Sequence, residues 1–381
     1  MDNKSACLIS CSDHFEHRLD IAAQHLMTRG FEVTYITSDF DHVTKKTYQC
    51  TVPNSIQLHT RPYYKNFSIA RILSHRNFAK SVFHYLESLS VEPDLILVLL
   101  PPNFLTKYVA EYKRKHPNVR LIFDIFDLWP ETFPSMGAKK LLAPFFGVWS
   151  WLRDHYLASA DFIVTECDLF GLRLGLDANK SRTVYLAGNR PECGILPPDL
   201  SADEWHLCYL GSINNIIDIP KICGLLGELA KHRKVTLHII GSGERLQELI
   251  DSAHNAGAEV VYHGMIYDDL QKQKIMCHCH YGLNVLKESV CIGLTMKSVD
   301  YFRNGLPVIN NVGGDTAELI KLRNCGMQLC DGLSLFETID VDACMQMRKN
   351  TVFVFENYFE RSLIVHQYGE VIDQAMRGYH G

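Results

Sequence analysis

Short apolar runs alternate with helix-period stretches along most of the chain. Runs at 7–10, 31–37, 95–100, 121–125 and 162–165 have strand length, and 19–29 carries a helical pattern that Gly30 stops. Strand followed by helix in repeated succession predicts an α/β chain with parallel sheets. A run at 184–186 closes this first sheet, and the Gly- and Pro-rich 189–198 reads as a linker. The same logic restarts at 206–210 and continues at 236–240, 260–263, 281–286 and 307–310. Glycine turns follow the first three of these: Gly211-Ser212, Gly241-Ser-Gly243 and Gly264-Met265-Ile266. Two Rossmann-like domains are therefore expected, at 1–190 and 200–355, followed by a long, aromatic-rich helical stretch at 352–376, with 356–381 as the closing C-terminal segment. Open α/β sheets bind ligands at the carboxyl ends of their strands, which places the expected site in a cleft between the two halves.

Bulk composition narrows the class. The 381 residues suffice for two ordinary domains. A hydrophobic share of 47% and a charged share of 21% are those of a soluble globular protein. The net charge of -5 predicts no general attraction to nucleic acid. No apolar window is long enough for a membrane span. Met1-Asp-Asn-Lys-Ser5 is polar and the run after it is only strand length, so no secretory signal is read there. The 13 cysteines show no disulfide spacing, and free thiols in a reducing cytoplasm are expected.

One stretch changes the picture more than any other: Gly293-Leu-Thr-Met-Lys-Ser-Val-Asp-Tyr-Phe-Arg-Asn-Gly-Leu-Pro-Val-Ile309. It reads as a glycine turn, an amphipathic helix, a glycine stop and a buried strand. The turn leaves N–H groups free at a helix N-terminus, where amides and helix dipole favour an anion such as a diphosphate. Lys297 and Asp300 are three residues apart and share a helix face. A cation for phosphate and a carboxylate for ribose hydroxyls suit a nucleotide.

In the first half, a strand delivers Asp124 and Asp127 at its carboxyl end, and Trp129-Pro130-Glu131 breaks it. Such carboxylates orient an acceptor hydroxyl or take its proton, while Asp127 as a helix cap is a compatible reading. After the first strand, Asp13, His14 and Arg18 form a polar strand-to-helix turn, and Arg18 is a cation for phosphate. Cations and aromatics interleave over 61–85, which suits an anionic membrane face, although a helix with snorkelling Lys and Arg has the same composition. Met276-Cys-His-Cys-His-Tyr281 is too tightly alternated for a zinc site. No Gly-x-Ser-x-Gly elbow or Walker lysine is present.

The 293–309 stretch resembles the nucleotide-sugar-binding motif of GT-B glycosyltransferases, in particular the retaining family 4-like group. Thr295, Lys297, Asp300, Tyr301, Gly305 and Pro307 carry the resemblance, with Asp300 where the family usually has glutamate. Asp127-Leu-Trp-Pro-Glu131 is similar to a signature of polysaccharide-building members. The resemblance implies two Rossmann-like domains facing a cleft and a last helix crossing back to the first. The implied donor site has backbone contacts to the base from Gly264, Met265 and Ile266, and diphosphate amides from Gly293, Leu294 and Thr295. Lys297 stands at the phosphate and Asp300 at the ribose, with Gly211, Ser212 and Gly241 in neighbouring loops. Asp127, Asp124 and His14 are the candidate catalytic residues, with Asp13, Arg18 and Glu131 on the acceptor or phosphate side.

The chain departs from the family in several places. The Arg/Lys pair expected in 211–219 is missing, which leaves Lys287 or Lys297 to supply the charge. Ile292 stands at the other acidic position, with Glu288 nearby, and Phe126 replaces the histidine beside the first-domain aspartate. The implied substrates are a UDP-, GDP- or dTDP-linked sugar and a hydroxyl of a lipid-linked glycan in cell-surface polysaccharide synthesis. No metal is implied, and the expected location is the cytoplasm or the inner membrane face. A non-catalytic partner of an active transferase, in a homo- or hetero-oligomer, and a nucleotide-sugar epimerase are the rival readings. A nicotinamide oxidoreductase is disfavoured because no Gly-x-Gly-x-x-Gly follows the first strand.

Overall fold

The computed structural model describes residues 4–12, 16–65, 68–132, 139–192, 194–329 and 340–377. Internal contacts divide the chain into two units, Met1–Tyr185 with Ile364–Gly381, and Leu186–Leu363.

The first unit contains β1 (Ser5–Ile9), α1 (Glu16–Thr28), β2 (Glu32–Ser38), a hairpin of β3 (Phe40–Asp41) and β4 (Lys46–Thr47), and β5 (Ser55–Leu58). There follow α2 (Ile69–Glu87), β6 (Leu95–Leu100), α3 (Phe104–Lys115), β7 (Arg120–Ile125), α4 (Lys139–Leu157), β8 (Phe162–Thr165), α5 (Asp168–Leu174) and β9 (Ser181–Thr183). Seven strands form one parallel sheet in the order β5-β2-β1-β6-β7-β8-β9. β6 is apolar at every position because each residue is buried, as for a central parallel strand covered on both faces.

The second unit contains β10 (Glu204–Leu210), α6 (Ile219–Ala230), β11 (Lys234–Ile240), α7 (Leu246–Asn255), β12 (Glu259–Gly264) and α8 (Asp269–Met276). It continues with β13 (Tyr281–Asn284), α9 (Met296–Arg303), β14 (Val308–Asn310), α10 (Asp315–Arg323), β15 (Gly326–Gln328) and α11 (Val341–Val354). Its sheet is also parallel, in the order β12-β11-β10-β13-β14-β15. Alternation sorts the faces of β10 and β11: Trp205, Leu207, Tyr209, Val235, Leu237 and Ile239 enter the core with α6. His206 and His238 fall on the other face. Strand order reverses between β1 and β6 and between β10 and β13, the positions where such sheets hold ligands.

The expected run of helix over 352–376 is broken. α11 ends at Val354, Phe355–Phe359 form a π turn closed by Glu360 N–H to Phe355 O at 3.0 Å, and Glu360 is extended. α12 (Arg361–Arg377) then begins, and from Ile364 it belongs to the first unit. The first sheet closes at Ser181–Thr183 instead of 184–186, because Lys180 O and Thr165 O fix the partnering of β8 and β9 there. No helix of the described residues is long and apolar enough to cross a membrane.

Candidate functional site

The best-formed site in the second unit is the turn between β13 and α9. Asn284, at the end of β13, is fully buried and accepts from the Thr295 hydroxyl at 3.1 Å. Its amide donates to Asn310 of β14 at 2.7 Å, and Asn310 donates to Gln328 of β15 at 2.7 Å. Thr316, in the first turn of α10, clamps the Gly293 carbonyl through N–H (2.9 Å) and hydroxyl (3.0 Å). The Gly293 carbonyl is thus satisfied twice over. Among the described residues, the N–H groups of Gly293, Leu294 and Thr295 donate to no protein group. Gly293 and Leu294 are buried, and buried N–H groups of native proteins normally have partners.

Thr295 caps α9 by accepting from Ser298 N–H at 3.2 Å, and Tyr301 anchors the helix to the sheet. The Tyr301 hydroxyl accepts from Leu210 N–H at 2.8 Å and donates to Cys208 O at 3.1 Å. Its ring lies flat on Gly282, where an added Cβ would stand 2.7 Å from ring atoms. On this helix the half-buried Lys297 stacks its ammonium 4.4 Å from the Tyr209 ring centroid and donates to that phenol at 3.3 Å. Burial lowers its pKa to about 8. The Asp300 carboxylate accepts no hydrogen bond and forms no ion pair among the described residues, and burial raises its pKa. A cation and a carboxylate without direct ion-pair partners on one helix, beside unsatisfied amides, are complementary to a bound molecule carrying both anionic and hydroxyl groups.

The other glycine turns of this unit are tied to one another. Gly211 N–H donates to Ile240 O, and Gly241 N–H to Gly264 O, so each carries the parallel ladder one residue past its strand. A Cβ at Gly241 would lie 2.0 Å from Gly211 O, and one at Gly243 2.2 Å from Ile213 O. These two glycines are required by loop-on-loop approach. Ser212 accepts from the Tyr209 hydroxyl at 2.9 Å. Met265 is exposed and Ile266 half-buried after the Gly264 turn. Lys287 is half-buried with no ion pair among the described residues, whereas Glu288 is exposed and pairs with Lys221 at 3.4 Å. Arg245, a cation at the head of α7 that sequence reasoning passed over, is held by Glu248 and Ile217 O.

In the first unit the switch point between β1 and β6 opens on a cavity of about 80 Å³ lined by Ser12, Tyr63, Arg71, His75, Asp127 and Trp129 among others. Arg71 stacks 4.2 Å over Trp129, and His75 is parallel to the same indole at 5.8 Å. Burial holds the His75 pKa well below its ordinary value. Asp127 accepts from Trp129 Nε1 and from the Thr132 hydroxyl, both at 2.5 Å, so it organises the 127–132 turn. Burial outweighs these bonds and raises its pKa.

Three of the expected residues are held in ion pairs by the packing. Asp124 is fully buried, ion-paired to Arg18 at 2.6 Å, and accepts from the Tyr368 hydroxyl of α12. Asp124 and Arg18 therefore neutralise each other inside the unit. Glu131 is bidentate to the buried Arg153 at 2.9 Å. Asp13 and His14 lie outside the described residues. Arg71 and His75, one helical turn apart in the 61–85 stretch, meet Trp129 of the 127–131 motif, a cluster not expected because the two segments are distant in sequence. Among the described residues no group of three His, Cys, Asp or Glu side chains is placed to hold a metal ion.

No protein-family model and no curated protein matches the chain. Solved structures do match it over nearly its whole length. Sucrose-phosphate synthase from Thermosynechococcus elongatus is 14% identical, with 98% of this chain and 99% of that chain covered and a TM-score of 0.71. HepE of Anabaena, solved with UDP and glucose, is 14% identical over 97% and 99% of the chains, with a TM-score of 0.63. The catalytic domain of starch synthase IV from Arabidopsis thaliana, bound to ADP and acarbose, is 11% identical over 99% and 100%, with a TM-score of 0.63. This chain has their two-domain GT-B fold.

Proposed function

We propose that the chain is a retaining glycosyltransferase that moves a sugar from a nucleotide diphosphate sugar to a hydroxyl of a lipid-linked glycan. The observation that carries this reading is the set of unpartnered Gly293, Leu294 and Thr295 amides beside Lys297 and Asp300, neither of which forms an ion pair among the described residues. In it the diphosphate lies on the amides and the Lys297 ammonium, Asp300 holds the ribose hydroxyls, and Gly264–Ile266 backbone meets the base. Leaving-group charge is met by preorganised donors, with Lys287 as a second cation in place of the missing pair. Asp127, with its raised pKa in the first-unit cavity, orients the acceptor hydroxyl. That neighbours of this fold were solved with UDP, glucose or ADP supports a nucleotide-sugar donor.

Calorimetric titration of UDP, GDP and dTDP tests the donor site. One of them is expected to bind in the micromolar range, with affinity falling roughly tenfold or more in Lys297→Ala and in Asp300→Ala. Absence of binding by all three sinks the donor assignment. It would favour the second reading, a non-catalytic partner of an active transferase, to which the cation-free 211–219 loop and the exposed, Lys221-paired Glu288 also point.

A further inference from the structure

Three imidazoles from three neighbouring strands form one hydrogen-bonded chain on the face of the second sheet opposite α6. His206 Nδ1 is 2.9 Å from His238 Nε2, and His238 Nδ1 is 3.0 Å from His263 Nε2. All three line a cavity of about 500 Å³, together with His278, Lys274 and Asp199. Neither the turn at Gly293 nor the first-unit cavity uses any of these groups.

The surroundings set the direction of the chain. Glu204 Oε1 lies 4.0 Å from His206 Nε2, beyond hydrogen-bond distance, and its negative charge favours the tautomer with the proton on that nitrogen. His206 Nδ1 then accepts from His238 Nε2–H, and His238 Nδ1 accepts from His263 Nε2–H. His263 Nδ1 is left as the open acceptor of the chain, with no hydrogen-bond partner among the described residues. One added proton at that end keeps both links intact, and its charge can pass through the rings toward Glu204. A second proton would put two N–H groups on one link and break it, so the chain holds one extra proton and no more.

Charge around the cavity decides what would accompany that proton. Lys274 is exposed and forms no ion pair among the described residues. The other facing groups are Asp199 of the incoming loop, which is exposed and 3.4 Å from His278, and Glu204 of β10. Lys234 of β11 is tied to Glu204 and to Glu259 of β12. His280 is already satisfied in its neutral form, accepting from His206 N–H and donating to Ser201 O. The empty chain resists protonation because its rings are part-buried and repel one another as cations. An anion between Lys274, His278 and the open end of the chain supplies the missing counter-charge.

We propose that this cavity binds a small tetrahedral oxyanion, of the phosphate or sulfate type, and takes up one proton with it through the His263–His238–His206 chain. The site is separate from the one assigned to the nucleotide and does not rest on the transferase reading. It adjoins that region in sequence, since His263 directly precedes the Gly264–Ile266 turn. It also adjoins it in space, through the Asp269–Arg303 ion pair (2.6 Å) that ties α8 to α9.

Sulfate is the probe, because it does not itself titrate near neutral pH. Calorimetric titration at pH 7 in two buffers of different ionisation heat counts the protons taken up, while ring nitrogen NMR reports His238 and His263. The expected result is about one proton per sulfate with movement of both ring signals, and at least tenfold weaker binding in Lys274→Gln and His263→Gln. Lys274 is exposed, so that variant tests the site without burdening the fold. Glucose 1-phosphate in a parallel titration distinguishes the source: tenfold tighter binding than sulfate assigns the site to a phosphate ester, and equal binding to the free anion. No binding, binding without proton uptake, or unchanged sulfate affinity in both variants overturns the proposal.

Discussion

Gly282 shows how much of the candidate site hangs on a missing methyl group. Tyr301 lies on it, and Tyr301 is what seats α9, the carrier of Lys297 and Asp300, against β13. Gly282→Ala is expected to cost about 2 kcal/mol, as overpacking in a core does. It should also weaken nucleotide binding through displacement of α9, with circular dichroism unchanged. A melting temperature equal to that of the unaltered protein would show that Tyr301 can move aside. At this scale local chemistry is what a sequence displays: Lys297 and Asp300 stand in one short motif, and neither forms an ion pair among the described residues. The sequence was opaque where partners are distant. Asp124 reads as a strand-end acid until Tyr368 arrives from 244 residues away and Arg18 from 106. Nothing near Glu131 in sequence announces Arg153.

Whole elements explain the other successes and failures. Central strands such as β6 and β8 are uniformly buried and therefore uniformly apolar, so their limits could be read directly. β5 and β15 are short, half-buried edge strands without that signature. The π turn at Phe355–Phe359 hides inside residues that favour a continuous helix. The histidines of β10, β11 and β12 are also invisible as a group, being 32 and 25 residues apart. Their meeting has a stability consequence with a definite sign. Burial holds His238 and His280 near a pKa of about 4 and lowers His206 and His263. Unfolded histidines titrate near 6.5, so the unfolded chain binds more protons below that pH. The stabilisation is complete above about pH 6.5 and is lost as the pH falls toward about 4. Thermal melts across this range should fall steeply between pH 6.5 and 5, before most carboxylates titrate, and less steeply in His238→Gln. A flat profile down to pH 5 would contradict neutral rings in the fold.

At the scale of the molecule, function depends on where it works as well as on what it binds. One flank of α2 exposes Ile69, Leu73, Arg76 and Lys80 at helical spacing, with Arg61, Tyr64 and Lys65 before it. Such a surface suits anionic lipid, as the lipid-linked acceptor proposed above would require. Co-sedimentation with phosphatidylglycerol vesicles is expected at low salt. It should fall in high salt, and by roughly tenfold or more in the double variant Arg76→Glu, Lys80→Glu, at about 1 kcal/mol per basic residue. Equal binding to uncharged vesicles would remove the electrostatic part of this reading. The return of α12 has a different consequence, one of timing. Leu186–Leu363 is an uninterrupted stretch set between the two parts of the first unit. On the ribosome the buried Arg18–Asp124 pair must therefore wait for Tyr368 until the whole second unit has been synthesised. The unit begun first is the one completed last, and a nascent chain stalled before 364 would hold a foldable second unit beside an unfinished first.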